Sequence, residues 1–304
     1  MVIFSRGKCA GMMMIIDVSG WVYGHFFALP AMTKSDGTPV NAVHGCVSSL
    51  WKIMQGNPEH ILAVFDASRR SFRHDLYAEY KANRQPTPPD LGPQLPIIRR
   101  AIETFGVHCV SADNYEADDV IATYTRLATE AEHSVTIISC DKDLMQLVSP
   151  PDWDGPIVEM YDPRQLKTIG PYEVQAKWGV FPSQMIDFQA LMGDASDNVP
   201  GVKSVGQKTA AKLLKEYKTL EAILEAAQEM HQPNMGKSVQ SNLNIYSDMA
   251  RLSKKLVTLK NDVEVEFDLE KLRCKLPDSA AVSEFLREME LVTLHDEIFG
   301  QVAA

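Results

Sequence analysis

Three apolar runs in the first half of the chain each end in an aspartate. The segments MMMIID, ILAVFD and VTIISCD end at Asp17, Asp66 and Asp141, respectively. Continuous apolar runs without alternation are typical of parallel strands that are buried on both faces. The carboxyl ends of parallel strands meet at one edge of a sheet, which is where α/β proteins place their sites. These runs therefore predict a parallel sheet that gathers three aspartates at one edge.

Helical patterns between these runs set the fold class. Helices are predicted over 93–105 and 117–131, and a weaker strand, VHCVSAD, ends at Asp113. This alternation of strands and helices indicates an α/β fold, with a mostly parallel central sheet covered by helices.

The character of the sequence changes near residue 183. Strand-like runs give way to loop, tight glycine turn and helix, with one further strand predicted at 262–267. We therefore expect a short leader at 1–11, a core over 12–182 and a helical subdomain over 183–304.

Further acids cluster where predicted helices and turns begin, in the segments NYEADD, SCDKDL and GDASDN. Each acid alone has an ordinary explanation as a helix cap or strand-end residue; Glu116, for example, could close a capping box with Asp113. Nine acids converging on one sheet edge are poorly explained in this way. The nine are Asp17, Asp66, Glu116, Asp118, Asp119, Asp141, Asp143, Asp194 and Asp197.

The crowding of these carboxylates indicates a site for divalent cations. Like charges at close range raise one another's pKa or repel unless cations compensate them. Mg²⁺ commonly binds through a few carboxylates together with water and substrate phosphates. Without these nine charges the net charge of the chain would change from −10 to −1, so much of its acidity belongs to this cluster. The sequence contains no GxSxG, GxxxxGK[ST] or HExxH motif that would indicate a competing chemistry.

The segment that follows Asp66 is both basic and aromatic. Residues 69–100 hold seven Arg and Lys against three acids. Such a pattern suits phosphate contact and base stacking on single-stranded nucleic acid, although a solvated helix face is its more common explanation. A proline-rich stretch, PTPP, ends the pattern, so we predict a helical arch over about 67–92 that projects over the strand ends. If the segment forms one helix, a single face of that helix carries Arg73, Tyr77, Lys81 and Arg84. Tyr80 then lies beside this face, and Arg69 and Arg70 precede the helix.

A second basic segment, GVKSVGQKTA at 201–210, resembles a helix–hairpin–helix turn. Residues 203–218 hold five Lys against one Glu. Backbone N–H groups of such a turn can face phosphate oxygens at the start of the following helix, and lysines add sequence-independent attraction to a duplex. K⁺ could also bind at the turn. The predicted DNA contacts here are Gly201, Lys203, Ser204, Gly206, Lys208, Thr209 and Lys212.

The cysteines and the apolar runs indicate the compartment. Five cysteines are scattered without CxxC spacing, which is typical of reduced thiols rather than of a disulfide frame or a zinc site. No apolar run approaches 18 residues, and the first run lacks a signal-peptide cleavage pattern. We therefore expect a cytoplasmic protein without a membrane span.

Four motifs in order resemble the 5′-nuclease family, which comprises flap endonucleases and 5′→3′ exonucleases. They are FDASRRSFRHDLYAEYKANRQPTPPDL, NYEADDVIA, SCDKDLMQLV and LMGDASDNVPGVKSVGQKTA. The similarity extends over about 12–300 and is greatest to the N-terminal nuclease domains of bacterial DNA polymerases. The resemblance implies a PIN-like nuclease core with a helical arch and a C-terminal helix–hairpin–helix-type subdomain.

The resemblance also implies roles for individual residues. Lys81 and Arg84 match catalytic basic residues of the arch, and Tyr80 matches a stacking neighbour. Gly24 stands where many relatives have arginine, which implies that one phosphate contact is missing. In the implied metal sets, Asp66, Glu116 and Asp118 surround one ion with Asp17 acting through water, while Asp141, Asp143 and Asp197 hold another with Asp119 and Asp194 in support.

The implied activity is hydrolysis of phosphodiester bonds in DNA that has a free 5′ end or a 5′ flap, during replication and repair. Two or more Mg²⁺ ions would take part, and Mn²⁺ could substitute. The expected protein is a nucleoid-associated bacterial monomer that works with a polymerase in cis or in trans. Two alternatives stay open: a non-catalytic DNA-structure-binding module, which has no need of nine acids, and an RNase of the related PIN fold, which would lack the hairpin at 198–218.

Overall fold

The computed structural model describes residues 11–229 and 235–300, so nearly all of the predicted leader lies outside the described residues. The strands are β1 Gly11–Asp17, β2 His60–Val64, β3 His108–Val110, β4 His133–Ile138, β5 Val158–Asp162 and β6 Lys167–Ile169. They form one sheet in the order β3-β2-β1-β4-β5-β6, in which only the β5–β6 pair is antiparallel. The predicted mostly parallel sheet is confirmed.

Helices connect the strands and make up most of the second half of the described chain. In the first half they are α1 Val18–Ala28, α2 Asn41–Met54, α3 Arg73–Leu76, α4 Gln94–Thr104 and α5 Ala117–Glu130. The later helices are α6 Pro171–Trp178, α7 Met185–Met192, α8 Gln207–Tyr217, α9 Leu220–Gln228, α10 Lys237–Ile245, α11 Ser247–Val257, α12 Leu269–Leu272, α13 Ser279–Glu288 and α14 Val292–Phe299. Short 3₁₀ helices span Asp143–Leu147 and Pro182–Gln184. The helices predicted over 93–105 and 117–131 are confirmed as α4 and α5. In the described part of the chain no helix is long and apolar enough to cross a membrane.

The apolar runs are continuous because both faces of the sheet are covered. In β1, Met13 and Ile15 belong to one core cluster and Met14 and Ile16 to the other, and all four are buried. Side chains alternate between the faces of a strand, so a strand buried on both faces needs apolar residues at every position. The parallel register then places Asp17 at the same sheet edge as the end of β2.

The two cores draw on different parts of the chain. Helices α1, α2, α4, α13 and α14 contribute to the core on one face, and α5 and α7–α11 contribute to the core on the other. The helices after residue 183 therefore contribute to the cores on both faces of the sheet. The subdomain boundary at 182/183 stays a prediction.

The strand predicted at 262–267 is wrong, because this segment is irregular. Its backbone forms hydrogen bonds with side chains of α5 instead of with a neighbouring strand. The Val263 N–H donates to Thr123 Oγ1 over 3.2 Å, and the Tyr124 hydroxyl donates to the Glu266 carbonyl over 2.9 Å. The alternating pattern reflects contact with a helix, not a place in the sheet.

The single arch helix predicted across residues 73–84 is also wrong. Helix α3 is one turn long, Tyr77 is extended, and Lys81 has a left-handed φ of 55°. The Lys81 N–H donates to the carbonyl of Asp197 over 2.9 Å. The segment is therefore folded down onto the sheet edge by contacts with residues distant in sequence, which a local helical pattern does not record.

Arg73 anchors this segment in the interior. Its side chain is 1% exposed, and its two terminal nitrogens donate to both carboxylate oxygens of Asp119 over 2.7 Å. Its Nε donates to the Leu256 carbonyl over 2.7 Å, which ties the segment to the end of α11. Burial works against the charged form, but Asp119 and Glu116 hold the pKa of Arg73 above its ordinary value.

Replacing Arg73 with alanine is expected to lower the free energy of unfolding by about 3–5 kcal/mol, because it leaves the charge of the buried Asp119 carboxylate without its ion-pair partner. Arg70→Ala is the matched control, since Arg70 is exposed and its pair with Asp75 is worth only about 0–1 kcal/mol. Urea unfolding of both variants measures the difference. Equal losses would show that the buried pair is not an anchor.

Candidate metal centre and nucleic-acid interface

Two aspartates of the site lie at or just beyond the carboxyl ends of β1 and β2. Asp17 ends β1 and accepts a hydrogen bond from the Ser139 hydroxyl, just beyond β4, over 2.7 Å. Asp66 lies two residues beyond β2. It accepts from the Ala117 N–H at the start of α5 over 2.9 Å and from the Ser19 hydroxyl over 2.5 Å. The free N–H groups at the starts of α1 and α5 thus help to hold both carboxylates.

The start of α5 differs from the predicted capping box. The helix begins at Ala117, so Glu116 is the N-cap residue and its N–H donates to Asp119 Oδ2 over 3.1 Å. The box predicted between Asp113 and Glu116 is therefore wrong, because Glu116 lies before the first helical turn rather than within it. This register directs Glu116 towards the arch segment.

Lys81 bridges two of the predicted acids. Its Nζ lies 2.6 Å from Glu116 and 3.4 Å from Asp197. Arg84 forms a 2.5 Å pair with Asp197, and the Tyr80 hydroxyl donates to Glu116 and Asp197 over 3.0 and 3.2 Å. Burial works against a charged lysine, yet the two carboxylates hold the pKa of Lys81 above its ordinary value.

Lys142 is a second bridging cation, which the sequence reasoning missed. Its Nζ lies 2.7 Å from Asp194 and 3.4 Å from Asp143. Gln189 of α7 also donates to Asp143, over 2.5 Å. The position of Lys142 between two acids in SCDKDL was the available signal, although it does not reveal the contact with Asp194.

Other carboxylates at this edge remain crowded. Burial, together with neighbouring carboxylates, raises the pKa of Asp17 to about 6 and that of Asp143 to about 7. The pKa of Asp118 is raised well above its usual range by burial and by the charges of Asp141, Asp17 and Asp143. Oxygens of Asp143, Asp194 and Asp197 all lie within 4.8 Å of one another. A set of hard oxygen donors with this excess of negative charge fits divalent cations.

Eight of the nine predicted acids lie around this edge. The exception is Asp119, which is fully buried beneath it and paired with Arg73. Both of its oxygens accept hydrogen bonds from the Arg73 guanidinium, and its supporting role in the metal group stays a prediction. The spacing of three acids in four residues could not show that one of them points into the core.

The residues of the arch segment that were predicted to contact DNA differ in how far their side chains are exposed to solvent. Arg69 and Arg70 are exposed, and Tyr77 is half-buried. Arg73 and Tyr80 are 1% and 4% exposed, so the predictions of a phosphate contact and a stacking ring at these positions are wrong. Both side chains instead compensate or hydrogen-bond acids at or beneath the sheet edge.

The predicted hairpin lies between α7 and α8. A side chain at Gly201 would place Cβ 2.4 Å from the Met192 carbonyl oxygen, so only glycine permits this close approach of the backbone. Ser204 at the turn has a φ of 67°. Gly206 is the N-cap of α8 and faces open space. The exposed side chains around the turn and on α8 include Lys203, Lys208 and Lys212, while Thr209 is half-buried.

An arginine missed by the sequence reasoning lies beside Gly24. Arg164 follows β5, so it lies at the same sheet edge as the carboxyl ends of β1 and β4. Its Nε lies 3.4 Å from the point where a Cβ of residue 24 would be. The space left by the missing side chain is thus lined by a guanidinium from a different element.

Comparison with known proteins identifies the family. Residues 12–179 match the family described as 5'-3' exonuclease, N-terminal resolvase-like domain, and residues 180–280 match 5'-3' exonuclease, C-terminal SAM fold. The chain therefore belongs to the 5′–3′ exonuclease family, as the motifs predicted.

Among curated relatives, DNA polymerase I of Rhizobium leguminosarum is 43% identical over 301 residues, which is 96% of this chain and 29% of that protein. The thermostable DNA polymerase I of Thermus aquaticus is 36% identical over 290 residues, which is 95% of this chain and 33% of that protein. The chain thus spans about a third of the length of these relatives.

Solved structures show the same fold at low identity. Bacteriophage T5 5'-exonuclease with bound zinc has a TM-score of 0.67 at 19% identity, covering 92% of this chain and 98% of that one. The catalytic core of Rad2 in complex with DNA has a TM-score of 0.63 at 16% identity, covering 95% and 91%. The predicted nuclease fold class is confirmed.

The raised carboxyl pKa values predict how stability depends on pH without metal. The pKa values of Asp17 and Asp143, about 6 and about 7, lie above the unfolded value of about 3.9. Protonation therefore favours the folded state, and this stability is lost as the pH rises from about 4 through the folded-state pKa values of about 6 and about 7. In EDTA, Asp143→Asn should become increasingly more stable than wild type over that range, whereas the exposed control Asp154→Asn should not.

Thermal melting as a function of pH measures this difference. Saturating Mg²⁺ should remove the advantage of Asp143→Asn, because the bound cation favours the ionised carboxylate. A difference between the variants that is the same at pH 5 and pH 8 would contradict the crowding of these acids.

Proposed function

We propose that this chain is a structure-specific 5′ nuclease that hydrolyses phosphodiester bonds of DNA at 5′ ends, flaps and single-strand/duplex junctions. The observation that carries the proposal is the set of eight acids at one sheet edge, where Lys81, Arg84 and Lys142 compensate only part of the charge. Family membership supports the same reaction class. Replication and repair are the processes in which such substrates arise.

The donor set suits Mg²⁺, with Mn²⁺ able to substitute, because every donor is a carboxylate. Asp66, Glu116 and Asp118 would hold one ion with Asp17 acting through water, and a second set of Asp141, Asp143 and Asp197 would hold another with Asp194 in support. Such ions, when bound, polarise a water nucleophile and stabilise the leaving oxygen.

Lys81 and Arg84 are placed to add positive charge at a scissile phosphate. Both nitrogens contact carboxylates at the sheet edge, at 2.6 Å for Lys81 and 2.5 Å for Arg84. Fixed positive charge close to the reacting phosphate stabilises the charge that develops in the transition state. The side chain of Arg84 is half exposed, so it can turn towards a DNA strand without rearranging the core.

The hairpin and the start of α8 would hold the duplex part of the substrate. Their exposed lysines can neutralise phosphates without reading the sequence, and the backbone N–H groups at the start of α8 can donate hydrogen bonds to a phosphate oxygen. A surface cavity of about 530 Å³ adjoins the turn and is lined by Gly201–Gly206, Met192 and Tyr246. The K⁺ ion expected at this turn stays a prediction.

The two alternative functions are less well supported. A DNA-binding module without catalysis gains nothing from crowded, uncompensated acids, whose mutual repulsion lowers stability. A short PIN-type RNase would lack the hairpin at 198–218, which this chain has between α7 and α8. Side-by-side digestion of DNA and RNA flaps separates the RNase from the proposed enzyme.

The names of the relatives support the proposal of a polymerase as partner. These relatives carry the name DNA polymerase I, and this chain matches only about a third of their length. We propose that a polymerase, in cis or in trans, extends the upstream strand while this nuclease removes the 5′ end ahead of it. The monomeric state and the bacterial cytoplasmic location stay predictions.

Cleavage of a 5′-labelled flap tests the proposed activity. With Mg²⁺ the wild type should release 5′-phosphorylated fragments, and EDTA should abolish the reaction. Lys81→Ala should lower the single-turnover rate by at least about tenfold, because a single electrostatic contact to a transition state is commonly worth 10²–10³ in rate. Lys52→Ala is the control, since Lys52 is exposed near the end of α2, away from the site.

Binding of the same flap is measured alongside cleavage. An intact flap that is bound normally in Mg²⁺ would refute the nuclease and favour the DNA-binding module. Equal cleavage by Lys81→Ala and Lys52→Ala would refute the role of Lys81 alone.

We further propose that Arg164 supplies the phosphate contact that the resemblance implied to be missing at Gly24. Its guanidinium lies against Gly24 at the carboxyl edge of the sheet, and its side chain is exposed. An arginine at this edge can contact a phosphate with two parallel hydrogen bonds.

Arg164→Ala should weaken flap binding and reduce the slope of log K against log salt by about 1, because one phosphate contact is lost. Adding Gly24→Arg to this variant should restore the slope, since the new side chain enters the space that Arg164 leaves. Fluorescence anisotropy over a salt series measures both changes. An unchanged slope in Arg164→Ala would contradict the contact.

A further inference from the structure

A second group of metal-ligating side chains lies at the opposite edge of the sheet from the acidic site. Glu59 and His60 stand at the start of β2, and His133 begins β4. One nitrogen of each imidazole and one carboxylate oxygen of Glu59 all lie within 4.8 Å of one another. Because the strands are parallel, the amino ends of β2 and β4 flank the amino end of β1, where Gly11 lies.

The two imidazoles are buried and oriented. His60 and His133 are 2% and 7% exposed, and their rings meet edge to face with centroids 5.1 Å apart. His133 Nδ1 lies 2.6 Å from the Ala131 carbonyl oxygen, so this nitrogen carries the proton and Nε2 keeps its lone pair. A carbonyl that fixes the tautomer in this way is the usual support of a metal-bound histidine.

One buried nitrogen of this cluster is unpaired in the part of the chain that the structure describes. Within the described ranges, the buried Nδ1 of His60 has no hydrogen-bond partner. A buried polar atom without a partner costs about 1–3 kcal/mol, which a ligand would recover. The nearby Arg273 is paired with Glu270 over 3.1 Å, so its charge is compensated.

Space for an ion is preserved beside Gly11. A Cβ at this position would lie 2.4 Å from Glu59 Oε2 and 3.0 Å from His133 Nε2, so both ligand atoms face the glycine. Zinc binds nitrogen and carboxylate oxygen at about 2.0–2.2 Å in tetrahedral geometry, which places two ligand atoms about 3.4 Å apart. The three ligand atoms lie within 4.8 Å of one another, and the exposed Glu59 side chain can rotate to bring its oxygen to that spacing.

We propose that Glu59, His60 and His133 form a binding site for a borderline transition-metal ion, with Zn²⁺ as the reference case. Imidazole ligands select zinc, copper, nickel or iron, whereas the carboxylates of the acidic edge select Mg²⁺ or Mn²⁺. The bound ion joins the starts of β2 and β4. It also fixes the segment at 273–274, because the Cys274 N–H donates to the Glu59 carbonyl over 2.8 Å. Its role is thus structural, and it is separate from the nuclease reaction.

The test is a Zn²⁺ titration of the full chain after chelator treatment, with a chromophoric competitor and with Mg²⁺ in large excess to occupy the acidic edge. Wild type should bind one equivalent of Zn²⁺ in preference to Mg²⁺. Glu59→Gln and His133→Gln should each weaken zinc binding by at least about tenfold. His108→Gln is the matched control, since His108 is an exposed histidine on β3 of the same sheet.

Two further measurements complete the test. Zn²⁺ should raise the melting temperature of wild type and of His108→Gln but not of Glu59→Gln, a variant of an exposed side chain that is expected to fold. Glu59→Gln should cleave a flap in Mg²⁺ at the wild-type rate, which separates this site from the proposed nuclease function. Zinc affinity that is equal in wild type, Glu59→Gln and His133→Gln, or no zinc uptake at all, would overturn the proposal.

Discussion

Mutual repulsion of carboxylates at the carboxyl edge of the sheet is the constraint on which the rest of this structure depends. Parallel strands bring Asp17, Asp66 and Asp141 to one edge, and the start of α5 adds Glu116 and Asp118. Such a cluster is stable only with positive charge nearby. The structure supplies that charge from side chains: lysine and arginine reach the acids from segments far apart in sequence.

This compensation also explains the shape of the arch segment. Buried Arg73 pairs with Asp119 beneath the edge, and Lys81 pairs with Glu116 and Asp197 above it, so the segment between them is held down at both ends. The lysine and arginine side chains that hold the segment against the acids are also the ones that, in the proposed reaction, contact a phosphate. They become available for this contact once divalent ions replace them beside the carboxylates. The same charged side chains therefore stabilise the metal-free chain and take part in the proposed catalysis.

The sequence predicted the parts of the fold that depend on local patterns. The apolar runs of β1, β2 and β4 and the periodicity of α4 and α5 identified those elements, because burial on one or two faces leaves a direct trace in residue order. Sequence patterns failed to predict the structure where contacts between residues distant in the chain determine it. The pattern over 73–84 is helical in spacing, yet the bond from the Lys81 N–H to the Asp197 carbonyl imposes a left-handed turn.

The candidate site divides in the same way. Strand ends and motif order located eight acids, but nothing in the sequence distinguished buried Asp119 from exposed Asp66 or paired Lys142 with Asp194. The burial of Asp119 depends on which side of the start of α5 faces the core, and the Lys142–Asp194 contact depends on how distant segments pack. Arg164 beside Gly24 was hidden for a similar reason, because the two residues meet only after the sheet is assembled.

Calorimetry of Mg²⁺ binding at pH 7 in buffers of different ionisation enthalpy tests whether the crowded carboxylates bind divalent cations. If crowding keeps some of these carboxyl groups protonated, ion uptake must release protons, and the observed heat must change with the buffer. We expect saturable Mg²⁺ uptake with proton release, both diminished in Asp118→Asn. Uptake without proton release, or no uptake, would contradict it.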